Sequence, residues 1–261
     1  MSESGGAPLL EARGIVKSFG RVVALNGANF TVYPGEVVAL VGDNGAGKST
    51  LVKTLVGVHP PDSGEILFNG RPVTIHTPHE SRELGIETVF QDLALAAEID
   101  PAANMFLGRE VVRRGVLGKL GFLDKAEMRR RSREAFDSLG VRIQDMTQPV
   151  ANMSGGQRQG IAISRAVTWA DKVVFMDEPT AALGVVQTRN VLDLIKRVRD
   201  QGRAVVLISH NMPEVFQVAD RIEVLRLGTR VASLKPGEVS MEDVVAAMTG
   251  AQSFHDGDEK A

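Results

Sequence analysis

Residues 42–49 read Gly42-Asp43-Asn44-Gly45-Ala46-Gly47-Lys48-Ser49, the pattern G-x-x-x-x-G-K-S. Glycine tolerates backbone angles and close approaches that a Cβ atom would forbid. Successive N–H groups of such a loop can therefore turn inward and cradle the oxygens of a phosphate group. In this pattern the lysine reaches the outer phosphates of a nucleotide, and the serine hydroxyl is a ligand of Mg²⁺. The stretch predicts a phosphate-binding loop with Lys48 on phosphate and Ser49 on the metal.

The flanks of the loop predict a strand before it and a helix after it. Residues 37–41 form a short β-branched apolar run, which suits a strand buried on both faces. Apolar residues at 51, 52, 55 and 56 fall on one helical face, and Gly57 is well placed to end that helix. This is the setting that phosphate binding needs, because the helix N-terminus adds partial positive charge. The plainer alternative is a glycine-rich hairpin without a ligand.

Composition limits the class of protein. The chain has 261 residues, of which 43% are hydrophobic, enough for a sizeable core. Its 30 Lys and Arg against 32 Asp and Glu give a net charge of −2, so apart from a local basic patch at 129–133 nothing points to nucleic acid. The absence of cysteine excludes disulfides, and the five histidines lack metal-ligand spacing. No secretory signal or membrane span is visible, so we expect any membrane role to come through a partner.

Strand and helix patterns divide the chain into three regions. Residues 9–90 are mainly strands, residues 91–170 mainly helices, and residues 171–250 alternate, which implies a mostly parallel sheet covered on both faces. The expected strands are 9–16, 22–32, 37–41, 63–70, 86–90, 172–176, 204–208, 221–227 and 230–234, and the later helices are 79–85, 101–107, 124–139, 155–169, 186–198 and 240–248. Residues 108–121 are expected to be a loop, and residues 1–8 and 251–261 flexible.

A second chemical signal follows the apolar residues 173–176. Asp177 and Glu178 come directly after this predicted strand. In an open parallel sheet, residues just past the carboxyl ends of strands face the ligand crevice. Asp177 is then placed to hold Mg²⁺ through a water, and Glu178 to orient or deprotonate the attacking water. The plainer alternative is that the two acids cap the next helix.

Residues 153–157 read Met153-Ser154-Gly155-Gly156-Gln157, which resembles the L-S-G-G-Q signature of the ABC ATPases. Methionine replaces leucine at similar volume. Ser154 can cap the helix that follows, and the two glycines let a second phosphate tail approach its N-terminus. The resemblance covers residues 9–250 and implies an α/β fold, a P-loop NTPase of the ABC ATPase type. It implies a mostly parallel core sheet with an antiparallel β part (9–90 and 171–250) and a helical subdomain (91–170).

The resemblance assigns roles to further residues. Phe19 matches the aromatic position that stacks on adenine, with Ala24 beside it; ordinary packing is the alternative. Gln91 matches the glutamine that reaches Mg²⁺ and the attacking water, and His210 the histidine that contacts the γ-phosphate; a loop glutamine and a helix-start histidine are the alternatives. The expected contacts are Phe19, Ala24, Gly42, Asp43, Asn44, Gly45, Ala46, Gly47, Lys48, Ser49, Thr50, Ser154, Gly155, Gly156 and Gln157 for ATP; Ser49, Gln91 and Asp177 for Mg²⁺; and Glu178, His210 and Gln91 for catalysis.

One position departs from the family pattern. After Pro179-Thr180-Ala181-Ala182-Leu183 the family usually has aspartate, whereas this chain has Gly184. In the family that aspartate organises contacts across the nucleotide-bound dimer. We therefore expect either that another residue fills the role or that the coupling between the two sites is altered.

Four stretches resemble a narrower group, the ATPases of monosaccharide importers of the ribose, xylose or fructose type: residues 42–49, 179–185, 208–212 and 248–250. Many of those ATPases fuse two domains in one chain, whereas this sequence resembles the single-domain branch that works as a homodimer. The resemblance implies a peripheral protein on the cytoplasmic face of the membrane that hydrolyses ATP. Its implied partners are permease subunits and, indirectly, a periplasmic sugar-binding protein.

Two other functions predict sequence features that differ from those of transport. A soluble ABC ATPase of DNA repair would insert long heptad repeats between the loop and the signature, and a translation ATPase would usually join two cassettes. Neither feature is visible. A nucleotide-binding regulator without hydrolysis would be expected to lack Glu178 or His210, and both are present. The sequence therefore favours an ATPase of sugar import.

Overall fold

The computed structural model describes residues 7–181 and 183–251, in which the strands form two sheets. In this part of the chain the ten strands are β1 (Leu10–Phe19), β2 (Val22–Val32), β3 (Val37–Val41), β4 (Ser63–Phe68), β5 (Arg71–Val73), β6 (Ile86–Val89), β7 (Val173–Asp177), β8 (Ala204–Ile208), β9 (Arg221–Arg226) and β10 (Thr229–Leu234). The nine α-helices of the same residues are α1 (Lys48–Leu55), α2 (Pro78–Glu83), α3 (Pro101–Met105), α4 (Val116–Lys119), α5 (Lys125–Leu139), α6 (Gly155–Trp169), α7 (Val185–Asp200), α8 (Met212–Val218) and α9 (Met241–Thr249). The flexible ends expected from the sequence lie almost wholly outside the described residues.

The larger sheet brings the carboxyl ends of its central strands together. Its order is β10-β9-β3-β8-β7-β6, and all neighbours are parallel except β9 and β10. Every residue of β3 and β8 is buried, which explains their unbroken apolar sequences. Leu40 of β3 and Asp177 of β7 both align with Ile208 of β8. The segments that follow these three strands therefore meet at one edge of the sheet.

The smaller sheet holds α1 against the larger one. Its order is β2-β1-β4-β5 and all its neighbours are antiparallel. One buried cluster contains Phe30 of the smaller sheet, Leu51 and Leu55 of α1, and Phe175 of the larger sheet. The helix that follows the phosphate loop is therefore anchored on both sides.

An arginine bridges the two sheets near the start of β9. Arg221 donates from Nη2 to the backbone oxygen of Thr31 in β2 and to Oε1 of Glu36, both at 2.7 Å. It also pairs with Glu223, which is buried within β9. Loss of any one partner would leave a buried charge unpaired, which is costly. The ion pairs and the backbone bond of Arg221 therefore hold β9 of the larger sheet against β2 of the smaller one.

Helices cover the outer face of the larger sheet. α6 and α7 contribute the buried residues Ile163 and Ile195 on one side, and α8 and α9 pack near β9. α3 and α5 form a separate cluster around Met105 and Phe136, which also includes Ile161 of α6. α6 therefore joins the helical region to the sheet. Within the ranges that the structure describes, no helix combines the length and the apolar character needed to cross a bilayer.

Two elements that contain proline were not expected from the sequence. β5 places Pro72 opposite Leu67. Proline disfavours a strand, but β5 is an edge strand, where a missing N–H costs no ladder bond. α8 carries Pro213 in its first turn, where the missing N–H would have no helical partner in any case.

The predictions for two boundaries were also wrong. Residues 108–121 are not a plain loop but contain α4, a single turn bounded by Gly115 and Gly121, both with positive φ. β1 continues past residue 16 to Phe19, because the hairpin with β2 pairs Phe19 with Val22.

Candidate active site

The phosphate loop requires glycine at two positions. Gly42 follows β3 with φ of +156°, and a Cβ atom there would lie 2.2 Å from the backbone oxygen of Leu225. Gly47 has φ of +102°, and its Cβ would lie 2.7 Å from the backbone oxygen of Ala24. Neither clash can be relieved by a side-chain movement, because both neighbours are backbone atoms. The loop is therefore wedged between β9 and β2 as it enters α1.

Lys48 folds back over this loop. Its Nζ donates hydrogen bonds to the backbone oxygens of Gly42 at 2.7 Å and of Asp43 at 3.0 Å. Burial lowers the pKa of Lys48, while the carboxylates of Glu178, Asp43 and Asp177 act in the opposite direction. A bound anion would favour the ammonium form in the same way as these carboxylates.

A cavity of about 400 Å³ opens beside the loop. It is lined by residues 22–24 at the start of β2, residues 44–50 of the loop and α1, Gln91 after β6, and Asp177 and Glu178 at the end of β7. Ile208 at the end of β8 completes the lining, so the structure brings residues from five separate segments, including expected nucleotide, metal and catalytic residues, to one cavity.

Asp177 lies partly buried at this edge. Burial raises its pKa, the neighbouring carboxylate of Glu178 raises it further, and Lys53 and Lys48 oppose the rise. A cation beside Asp177 would favour the ionised form, so the site suits a positively charged ligand.

Glu178 has an unusual backbone conformation. Its φ of +47° is left-handed, which costs a residue other than glycine about 1–3 kcal/mol. Its N–H donates to the backbone oxygen of Ile208 at 2.9 Å, and its Oε1 lies 2.7 Å from Nδ1 of His210. A carboxylate only accepts hydrogen bonds, so His210 Nδ1–H is the donor when Glu178 is ionised. The side chain of Glu178 is thus directed toward His210, which follows β8. Neither Asp177 nor Glu178 caps the next helix, because the N-cap residue of α7 is Gly184.

Phe19 lies beside the cavity and not in its lining. Its strand partner Val22 lines the cavity. Phe19 is 44% exposed, and its ring meets the ring of His59 nearly at right angles, with 5.2 Å between the centroids. His59 was not expected from the sequence, because the contact between the end of β1 and the turn after α1 leaves no local pattern.

The signature forms a capping box at the start of α6. Gln157 N–H donates to Ser154 Oγ at 3.2 Å, and Ser154 N–H donates to Gln157 Oε1 at 3.0 Å. With Gly156, these residues line a second cavity of about 650 Å³, which is distinct from the one beside the phosphate loop. The described residues of one chain therefore do not bring the signature and the loop together.

Gln187 fills space that two glycines leave. A Cβ at Gly156 would lie 2.8 Å from Gln187 Cγ, and a Cβ at Gly184 would lie 2.8 Å from Gln187 Oε1. Gln187 thus packs the first turn of α7 against the signature end of α6. A side chain at position 184 would displace the Gln187 amide. The observed position of Gln187 therefore depends on glycine at position 184, where the family usually has aspartate.

The sequence model of the ABC transporter family matches residues 25–181, a range that includes the phosphate loop, the signature and Asp177–Glu178. The chain belongs to the ABC transporter family. The fold class expected from the sequence is confirmed.

Three relatives of this ABC transporter chain carry names from sugar import. The fructose import ATP-binding protein FrcA of Rhizobium meliloti is 52% identical, over 94% of this chain and 95% of that protein. The xylose/arabinose import ATP-binding protein XylG of Sulfolobus acidocaldarius is 46% identical, over 92% and 94%. The ribose import ATP-binding protein RbsA 1 of Rubrobacter xylanophilus is 42% identical over 93% of this chain, which spans 47% of that protein.

Solved ABC transporter structures share the fold. A nucleotide-free ATP-binding cassette has a TM-score of 0.76 at 24% identity, over 93% of this chain and 96% of that one. CbiO1 of Clostridium perfringens, part of a cbiONQ transporter complex, has a TM-score of 0.75 at 26% identity, over 95% and 96%. The likeness therefore extends over both sheets and the helical region.

Proposed function

We propose that this chain is the ATP-hydrolysing subunit of a monosaccharide importer. The observation that carries the proposal is the cavity in which the phosphate loop meets Gln91, Asp177 and Glu178. Phosphate binding, a carboxylate for a metal and a carboxylate for a water are what hydrolysis of a nucleoside triphosphate requires. Family membership and the names of the relatives favour import over repair or translation.

Phosphate binding falls to the loop and Lys48 in this proposal. The loop is held open by contacts that only glycine permits at Gly42 and Gly47. Lys48 already bonds two backbone oxygens of the loop, and phosphate oxygens would replace those partners. The adenine ring would stack on Phe19, beside Ala24.

The donors at this edge fit Mg²⁺. Ser49 and Asp177 offer oxygen atoms to the same cavity, and Mg²⁺ typically takes few protein ligands together with substrate phosphates and water. Among the described residues no group of three or more His, Asp or Glu side chains could hold a metal by itself. When bound, Mg²⁺ would neutralise phosphate charge, with Gln91 reaching toward it.

Glu178 would act as the general base toward the attacking water. Its carboxylate lines the cavity, and its strained backbone is fixed by the bond to Ile208. His210 holds Oε1 through Nδ1, which leaves Oε2 as the oxygen that can accept a proton. We propose that His210 moves from Glu178 to the γ-phosphate when nucleotide binds.

The complete site would need a second copy of the chain. Ser154, Gly156 and Gln157 line a different cavity from the loop, so the signature of one chain would close over the phosphates held by another. Residues 91–170 are the helical subdomain in this proposal, with the core in 9–90 and 171–250. The homodimer would dock on permease subunits at the cytoplasmic face of the membrane and serve a periplasmic sugar-binding protein indirectly.

Replacement of Glu178 by glutamine tests the ATPase. Glu178→Gln keeps the shape and the phosphate loop but removes the base, so ATP binding should persist while turnover falls at least about a hundredfold. Phosphate release by purified protein measures turnover, and a fluorescent nucleotide measures binding. Glu98→Gln, at an exposed position away from the cavity, is the matched control. Wild-type turnover in Glu178→Gln would refute the assignment.

Uptake in cells tests import. In a strain that lacks its own copy of this chain, the wild type should restore uptake of a labelled monosaccharide among fructose, xylose and ribose, and Glu178→Gln should not. Deletion without any loss of uptake of these sugars would contradict the proposal, even if the ATPase assignment holds.

A further inference from the structure

Residues 111–123, here called the basic tip, form a hydrogen-bonded segment between α3 and α5. Val112 and Leu123 form an antiparallel bridge at its base. Arg113 N–H donates to Phe122 O at 2.8 Å, and Asp124 N–H donates to Val111 O at 2.7 Å. α4 lies at the far end, where Gly118 packs so closely on the Arg113 backbone that a Cβ would not fit. The conformation of the tip is therefore held by backbone hydrogen bonds and not by burial of its side chains.

The apolar side chains of the tip face outward. Val116 is 74% exposed, Leu120 67% and Phe122 54%. Val112, Leu117 and Leu123 are exposed as well. Scattered exposed apolar residues are normal, but six within 12 residues on an ordered backbone indicate a contact surface.

The charges of the tip are all positive. Arg113, Arg114 and Lys119 are exposed, and residues 111–123 contain no Asp or Glu. In the described part of the chain none of these three cations has an ion-pair partner, whereas nearby Arg109 and Arg129 are paired with carboxylates. The flanking Asp124 is engaged as the N-cap of α5. The surface thus combines unpaired cations with exposed aliphatic and aromatic groups.

We propose that the basic tip rests on the surface of an anionic phospholipid bilayer. Arg113, Arg114 and Lys119 would meet headgroup phosphates, while Val116, Leu120 and Phe122 would enter the boundary with the acyl chains. Exposed cations without any carboxylate in residues 111–123, interleaved with exposed aliphatic and aromatic side chains, match the two layers of an anionic bilayer surface. The inference adds a lipid contact to the proposed function and does not depend on ATP hydrolysis.

Vesicle sedimentation of the whole purified chain tests this contact. Binding should require phosphatidylglycerol, be absent on pure phosphatidylcholine and weaken with salt. The net charge of −2 gives the protein no general attraction to an anionic surface, so binding reports a local patch. Each surface cation contributes about fivefold, so Arg113→Gln with Arg114→Gln and Lys119→Gln should lower affinity about a hundredfold.

Two matched sets separate the tip from the rest of the surface. Val116→Ser, Leu120→Ser and Phe122→Ser together should likewise reduce sedimentation with vesicles strongly. Control sets take exposed residues elsewhere, Arg71→Gln with Arg133→Gln and Lys172→Gln, and Val58→Ser with Leu227→Ser and Val245→Ser; these should bind like the wild type. ATPase activity and circular dichroism verify folding of every variant.

Three results would overturn the proposal. The first is wild-type binding that does not depend on phosphatidylglycerol. The second is loss of binding in the control sets equal to that in the tip sets. The third is no vesicle binding at all while the tip sets reduce co-purification with the permease, which would make the tip a protein contact.

Discussion

The ring of Phe19 has a support on one edge. His59 packs against it, and Lys17, which bonds the backbone oxygen of Pro60 and the carboxylate of Asp62, lies 5.8 Å from its centre. An aromatic platform binds a base well only if it is held in place, since ordering it on binding costs entropy. His59 therefore should act as a positioning residue for adenine.

Substitution of Phe19 and His59 should change the KM for ATP with little change in kcat. Phe19→Ala should raise KM about five- to hundredfold, because stacking on a base contributes about 1–3 kcal/mol. His59→Ala should raise it by a smaller factor, and His59→Phe and Phe19→Trp should retain near wild-type values. Steady-state rates over a range of ATP measure both constants, with the exposed His79→Ala as control.

The two substitutions test different parts of the proposal and can contradict each part separately. If Phe19→Ala keeps the wild-type KM, another residue holds the base. If Phe19→Ala raises KM but His59→Ala does not, Phe19 does stack on adenine and His59 does not position it.

Contiguous motifs could be predicted at the residue scale, and tertiary partners could not. The loop around Lys48 and the pair Asp177–Glu178 carry their chemistry within a few residues, and the structure places both at one cavity. His59 and Gln187 act through contacts between distant segments. The positive φ of Glu178 likewise could not be predicted from the residue type. It accompanies a backbone hydrogen bond from Glu178 to Ile208 of β8, which is a contact between distant segments.

At the scale of elements, two helices begin with the same device. Ser154 with Gln157 caps α6, and Ser240 with Asp243 caps α9. The pair offers a matched comparison, because only α6 carries the signature. A functional role of Ser154 can thus be separated from its structural one.

Ser154→Ala and Ser240→Ala should destabilise the protein equally but affect ATP turnover differently. Each removes a cap worth about 1 kcal/mol, which lowers Tm by about 2–4 °C in a chain of this size. Only Ser154→Ala should lower turnover, by at least about tenfold, since it would also remove the proposed hydrogen bond to a charged phosphate. Thermal unfolding and phosphate release measure the two effects. Equal losses of turnover would show that Ser154 matters through stability alone.

The type of a secondary-structure element could be predicted where the apolar periodicity extended over many residues. The prediction failed where proline or glycine interrupted that periodicity. The strand–loop–helix unit of β3 and α1 and the long helices α5 and α6 lie where the sequence predicts them. β5 and α8 contain Pro72 and Pro213, which are tolerated only because of an edge position and a first turn. α4 is a single turn among glycines, too short for any apolar period.

For the whole molecule, the decisive feature is the separation of the phosphate loop from the signature at the start of α6. The sequence predicts both motifs, but only the fold shows that they line different cavities within the described residues of one chain. The proposed site therefore requires two chains. Gly184 and Gln187 lie at the signature end of α6 and would face that junction.

Mixing of two defective chains tests the shared site. Lys48→Ala removes phosphate binding from its own loop, and Ser154→Arg places a bulky cation at the signature. In a mixed dimer one site combines both lesions, whereas the other combines an intact loop with an intact signature. As a control, Lys48→Ala is mixed with a chain that carries Lys48→Ala and Ser154→Arg together, so that no intact loop remains.

A site shared between two chains should be visible as nucleotide trapped on a filter after the two single variants are mixed and subunit exchange is verified. Occlusion is the better readout, because hydrolysis also depends on coupling between the two sites. Each variant alone, and the control mixture, should trap no ATP. We predict that mixing Lys48→Ala with Ser154→Arg restores occluded ATP at one site per mixed dimer. Mixed dimers that occlude no more ATP than either variant alone would contradict it.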